Sequence, residues 1–309
     1  MHIPDHMLNG AVCPVSAAVI SVAGVATAAV LAVKSKDKPS PLKFAAIAMF
    51  IFAAQMMNFP VLNGTSGHFL GTTFAVVLLG IPFGILSTTA VLIVQCLAFG
   101  DGGLSVLGVN ILNMALIGAI PGAALTFIFR SNFRFNKIQK SILIFAGSWL
   151  SIVIAAFFCS AELGISGTID FTTVFSSMVG IHSLIGIFEG VITVALYLIA
   201  TSEKAQKSEK LSVGILAVSA VIIGLVLSPF ANGFPDGLEW VAEKYAFLNE
   251  SAAPLLTSPF NDYSLSLINN EILTVSAAGF IGVIITFIAV VGLGFLLNFK
   301  RDDAQSTVK

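Results

Sequence analysis

The sequence predicts an all-α fold, a polytopic bundle of about nine transmembrane helices, with the N-terminus outside the cell and the C-terminus inside. Three observations predict it. Only 10% of the 309 residues are charged and 57% are apolar, whereas a water-soluble domain carries roughly 25% charged residues. Apolar runs recur that approach or exceed the ~20 residues a helix needs to cross ~30 Å of hydrocarbon. Fourteen of the fifteen Lys and Arg residues fall in every second connection between those runs, and basic connections stay on the cytoplasmic side.

The first run, 11–33, ends at Lys34, Lys36, Lys38 and Lys43. The second, 43–57, leads to an outward connection over 58–68. The next stretch reads as two runs, 69–86 and 87–99, divided at Pro82–Gly84 and Ser87–Thr89. The division keeps the alternation, because one helix there would put basic connections on opposite sides. Runs 104–129 and 138–160 flank Arg130, Arg134, Lys137 and Lys140. Runs 172–200 and 211–228 flank Lys204, Lys207 and Lys210, and the last, 274–297, leads to Lys300, Arg301 and Lys309. The intervening connections hold only Lys244. Net charge is −1, which gives no electrostatic reason to expect nucleic acid. Cys13, Cys96 and Cys159 stand apart, without Cys-x-x-C or a neighbouring His. They read as small apolar packing residues, with a disulfide or thiolate metal site as the alternative.

The start does not read as a secretory signal, having no basic n-region and no small-residue cleavage site. Met1 is expected to be retained, because His2 is bulky. Of the four histidines, His2, His6 and His68 fall on one side of the predicted membrane and His182 lies within a run. A free amine followed by His is a chelator. The Met1 amine, the deprotonated His2 amide and His2 Nδ1 close two fused rings, and one further imidazole completes a nitrogen plane of the kind that suits Ni(II) or Cu(II). His68 is the candidate for that imidazole. It ends Asn63-Gly-Thr65-Ser66-Gly-His68, where small residues let backbone approach and polar side chains can orient the ring from behind. Any chain beginning Met-His contains this chelator in principle, so spacing alone leaves the plain alternative open. Capture must release protons.

These residues resemble the substrate-binding membrane subunit of energy-coupling-factor nickel/cobalt transporters. The resemblance is carried by Met-His-Ile-Pro-Asp (1–5), Met-Asn-Phe-Pro-Val (57–61) with Gly-Thr-Ser-Gly-His (64–68), Phe-Gly-Asp-Gly-Gly-Leu (99–104) with Gly-Val-Asn-Ile-Leu-Asn-Met-Ala (108–115), and His-Ser-Leu-Ile-Gly-Ile-Phe-Glu (182–189). Pro-Asp-Gly-Leu-Glu-Trp (235–240) resembles the small accessory subunit often fused behind it. The resemblance implies a metal-binding unit over 1–202 and an accessory segment over 203–309. It also implies metal ligands Met1, His2 and His68, with Asn58, Asn63, Thr65, Ser66, Asp101 and His6 around them. His6 departs from the family, which usually has Gly there; it reads as a bystander or as a transient ligand. The implied role is a cell-membrane subunit that captures Ni2+ or Co2+ as substrate, needs no prosthetic group, and works with separate ATPase subunits and a transmembrane coupling subunit. Relatives that carry cobalt serve cobalamin biosynthesis.

No Gly in the chain is followed by Lys, so it holds no P-loop. No H-E-x-x-H, nucleophile–base pair or catalytic carboxylate pair appears either, which argues against an enzyme. His182 and Glu189, seven apart on one helical face, read as a packing pair or as the relay of a proton-coupled secondary transporter, the rival reading. Asp101 reads as a helix cap or as a group behind the metal site. Asp236–Gly237 reads as a turn, with Asp236 and Glu239 able to attract cations. The alanine-rich first run, with Ala28 and Ala32 four apart, suits close helix contact, either with the coupling subunit or within the chain.

Overall fold

The computed structural model describes residues 1–62, 64–131, 133–247 and 254–299. Asn63 and the basic tail Lys300, Arg301 and Lys309 lie outside the described residues. The fold is a helical bundle: α1 (Val12–Lys34), α2 (Pro41–Gln55), α3 (Thr72–Leu79), α4 (Ile81–Phe99), α5 (Leu107–Arg130), α6 (Lys137–Ile165), α7 (Phe171–Ala200), α8 (Glu209–Phe230), α9 (Gly237–Lys244) and α10 (Glu271–Phe299). One small hairpin departs from an all-helical chain, with β1 (Phe59–Pro60) antiparallel to β2 (Ser66–Gly67), Phe59 opposite Gly67.

Among the described residues seven helices are long and apolar enough to cross a membrane, against the nine runs the sequence suggests. The two short ones are α2, with 15 residues, and α3, with 8. At 1.5 Å per residue, α3 is only ~12 Å long. The break between α3 and α4 falls at Gly80, not over 82–89. Gly80 has φ 86° and ψ 160°, backbone that Gly adopts readily. Pro82 lies in the first turn of α4, where its missing N–H costs nothing. Ser87–Thr89 sits inside α4, where Thr88 Oγ1 donates to the Gly84 carbonyl at 3.3 Å, so the hydroxyl side chain is absorbed by its own helix. Short as it is, α3 reaches the end of the bundle where basic residues gather. Gly80 lines an open cavity of about 910 Å³ with Lys36, Lys38, Lys43 and Arg130.

Helix α2 is apolar all round, and residues 44–55 are buried throughout; such a helix belongs in the interior. Its apolar surroundings come from α1, α4, α8 and α10. Ala28 and Ala32 of α1 are buried in this cluster, so that face is used within the chain. Helix α10 meets α8 and α2 through glycine: a Cβ on Gly279 would lie 2.1 Å from the Gly224 carbonyl of α8, and one on Gly282 would lie 2.1 Å from the Phe52 ring of α2. Small residues of this kind let membrane helices approach backbone to backbone. All three cysteines are free and buried.

Candidate metal centre

The first ten residues form no helix, and their backbone is fastened to the connection between α4 and α5. Asn110 accepts from Ile3 N at 2.9 Å and donates to the Ile3 carbonyl at 3.1 Å. Gly103 N donates to the same carbonyl at 2.9 Å. A Cβ on Gly103 would stand 2.2 Å from Asp5 N, so only Gly admits this crossing. Asp5 then takes Ser105 N at 2.9 Å and Ser105 Oγ at 2.6 Å. Burial works against its carboxylate, yet these hydrogen bonds hold its pKa below the usual value. Met1 ends up buried, packed on Ala155 and Ala156 of α6.

This seating brings the three expected ligands together. The Met1 amine donates to His68 Nε2 at 2.9 Å, and the His2 and His68 rings meet edge-on with centroids 5.4 Å apart. His68 follows β2, and the backbone behind it is held from α7. The buried Glu189 carboxylate accepts from Leu70 N at 2.7 Å and Gly71 N at 2.9 Å. Burial lowers the His68 pKa below 6.5, and the amine's charge adds to this. The ring is therefore neutral at neutral pH, as a ligand must be.

Two carboxylates hold the donor atoms. Asp236 Oδ2 accepts from the Met1 amine and lies 3.7 Å from His68 Nε2. Its other oxygen accepts from Leu238 N at 2.7 Å and Glu239 N at 2.9 Å, so the same side chain caps α9. Glu239 completes the capping box by accepting from Asp236 N at 2.9 Å. Burial would raise the Asp236 carboxyl, but the amine and His68 outweigh it and hold it well below the usual range. On the other side, His2 Nδ1 donates to Asp101 Oδ1, while His2 Nε2 is buried with no partner among the described residues. Asp101 is likewise held down, to about 2, because His2 and the Tyr263 hydroxyl outweigh its burial.

Of the surrounding residues named from sequence, Asp101 touches the His2 ring. Ser66 instead binds the stretch before α9, donating through N to the Pro235 carbonyl at 2.8 Å and through Oγ to the Phe234 carbonyl at 2.8 Å. Asn58 lines the cavity beside the site, and its carbonyl accepts from Asn232 N at 2.9 Å. The buried Thr65 hydroxyl has no partner among the described residues. His6 is exposed on left-handed backbone, φ 66°, and does not line that cavity. The cavity, about 440 Å³, opens onto His2 and His68 and is bordered by Asp101, Asp236, Glu239 and Asp262, with no Lys or Arg. Burial beside Asp236 pushes the Glu239 carboxyl up, the Asp236 charge being the larger cause.

His182 and Glu189 do not form the pair that their spacing allows. His182 Nδ1 faces the Met178 carbonyl at 2.7 Å, its ring lies against Gly237, and Glu189 is engaged with 70–71. Among the described residues no three His, Cys, Asp or Glu side chains gather as a metal cage. The donor set here depends on a backbone amine. Sequence reasoning undervalued Asp236, read as a turn, and missed Tyr263. Asp-Gly beside Glu three positions on was a visible capping-box signal, but nothing local points from it to Met1.

Two family profiles cover nearly all of the chain: the cobalt uptake substrate-specific transmembrane region, CbiM, over residues 2–207, and the PDGLE domain over 210–299. A protein of Archaeoglobus fulgidus that carries the name of a fused nickel transport protein, NikMN, is 33% identical over 307 residues, covering 96% of this chain and 98% of that one. A cobalt transport protein CbiM of Clostridium cellulovorans is 27% identical over 188 residues, 59% of this chain and 71% of that one. The crystal structure of a truncated transition metal transporter superposes with a TM-score of 0.56 at 29% identity, covering 64% of this chain and 98% of that one.

Proposed function

The chain belongs to the CbiM family of cobalt uptake transmembrane regions, carries a PDGLE domain behind it and is a multi-pass protein of the cell membrane, and from this premise we propose that it is the metal-capturing component of an ATP-driven nickel or cobalt importer. The single observation that carries the reading is the convergence of the Met1 amine on His68 Nε2 at 2.9 Å, with the His2 ring alongside. The amine, the His2 amide, His2 Nδ1 and a His68 ring nitrogen supply the nitrogen donors. A planar nitrogen set favours Ni2+, and the fused accessory segment leans the same way; Co2+, for cobalamin biosynthesis, is the alternative cargo.

In this reading the centre faces outward and the basic ends of the helices face the cytoplasm. The acidic cavity draws a divalent cation in. The ion replaces the protons that the amine and His2 Nδ1 now share with Asp236 and Asp101. Both carboxylates stay beside the donors and offset the charge of the bound ion. The segment over 203–309 supplies Asp236 and is the accessory unit. Partner ATPase subunits and a coupling subunit then drive release to the inside.

Titrating the purified chain with Ni2+ and Co2+ in competition tests this directly. His2→Ala and His68→Ala are each expected to abolish tight binding while the protein remains folded in the membrane. Retained affinity in both would contradict the reading. Uptake that survives loss of ATPase partners but collapses with the proton gradient would favour the secondary-transporter rival.

A further inference from the structure

The connection that follows α9 closes onto the turn carrying Asp101. Phe260 N donates to the Ala98 carbonyl at 2.9 Å, and Ser258 Oγ donates to the Cys96 carbonyl at 3.2 Å. The Tyr263 ring stacks on Phe99, centroids 4.9 Å apart and planes 21° off parallel. Its hydroxyl donates to Asp101 Oδ2 at 2.6 Å. Asp262 and Tyr263 both lie in left-handed backbone, φ 50° and 54°. A bulky side chain avoids that region unless its contacts over-determine it.

We propose that Tyr263 is a positioning residue for metal capture. The two Asp101 oxygens are divided, Oδ2 to Tyr263 and Oδ1 to His2 Nδ1. With Oδ2 held, the carboxylate cannot swing away from the ring. His2 is thereby kept with Nδ1, the nitrogen that chelates together with the backbone amide, on Asp101 and with Nε2 buried. A ring fixed before the ion arrives loses less freedom on binding. The PDGLE domain thus reaches the centre at two separate points: Asp236 holds the amine, and Tyr263 acts on the imidazole through Asp101. This inference rests on the metal-binding reading above.

Tyr263→Phe removes the hydroxyl and keeps the ring on Phe99. In the metal-free full chain, ¹⁵N-histidine NMR should show the His2 ring signals moved and those of His182 unchanged. Ni2+ affinity should fall about tenfold, the scale typical of a group behind a metal ligand. If Tyr263 acts through Asp101, the double variant Asp101→Asn/Tyr263→Phe binds no more weakly than Asp101→Asn alone. Unchanged His2 signals with unchanged affinity, or losses that simply add, would overturn the proposal. Failure of the metal reading itself would look different, as wild-type protein that binds neither Ni2+ nor Co2+. The metal-free His2 signals would then still decide whether the hydroxyl sets the ring.

Discussion

Asp236 serves two partners with one side chain, and this explains why a residue 235 positions from the amino end governs it. One oxygen caps α9 and the other binds the Met1 amine. Asp236→Asn keeps a capping acceptor but removes the charge. Replacing a charged hydrogen-bond partner in a buried pair typically costs about 1–3 kcal/mol of stability, so the metal-free variant should melt at a lower temperature in a thermal unfolding assay in detergent. His68 gives a pH prediction. Its folded pKa lies below 6.5 because burial and the amine disfavour the charged ring. The stability it contributes is therefore present in full above that value and is lost as pH falls below it. The melting temperature of metal-free protein should drop as pH falls below 6.5, and a His68→Phe variant should show a smaller drop. The meeting of Met1, His2 and His68 was legible in the sequence because the Met-His start, the predicted side of the spans and the family resemblance all pointed to these three residues. Asp236, Glu189 and Tyr263 were not, because their partners lie more than a hundred residues away and only tertiary packing selects them.

At the scale of elements, the sequence read the long apolar helices well, since length and composition decide them. It misplaced the one break that depends on a single backbone conformation. Pro82 and Ser87–Thr89 looked like interruptions, but a Pro in the first turn and small hydroxyl residues, of which Thr88 bonds its own helix, are compatible with helix, whereas Gly80 with φ 86° is not. A second single-residue dependence lies at Gly103, where the amino-terminal segment crosses. Gly103→Ala would drive a methyl into Asp5 backbone at 2.2 Å. Metal affinity should fall at least tenfold, the loss expected when a ligand is displaced, with helical circular dichroism unchanged. Glu189 offers the contrast between positioning and proton transfer. Glu189→Ala frees Leu70 N and Gly71 N, loosening the backbone that follows His68. It should weaken equilibrium Ni2+ binding, which a pure proton relay would leave untouched.

For the whole molecule, the two family regions together build the proposed metal centre. Helices α8 and α10 cover α2, and the loops on either side of α9 reach Met1, Ser66 and Asp101. A chain ending at residue 207 should still insert, because lipid can replace the apolar cover of α2. It should bind Ni2+ more weakly, having lost the carboxylate beside the amine and the hydroxyl behind Asp101. Co-expressing the missing segment should restore affinity. The central claim is that the amine at the start of the chain is itself a metal ligand buried against His68. Calorimetric titration of Ni2+ into protein acetylated on the Met1 amine, beside protein with a free Met1 amine, tests it most directly. Acetylation converts the amine to an amide and should abolish tight binding while His2 and His68 remain. Equal affinity in the two proteins would contradict the account.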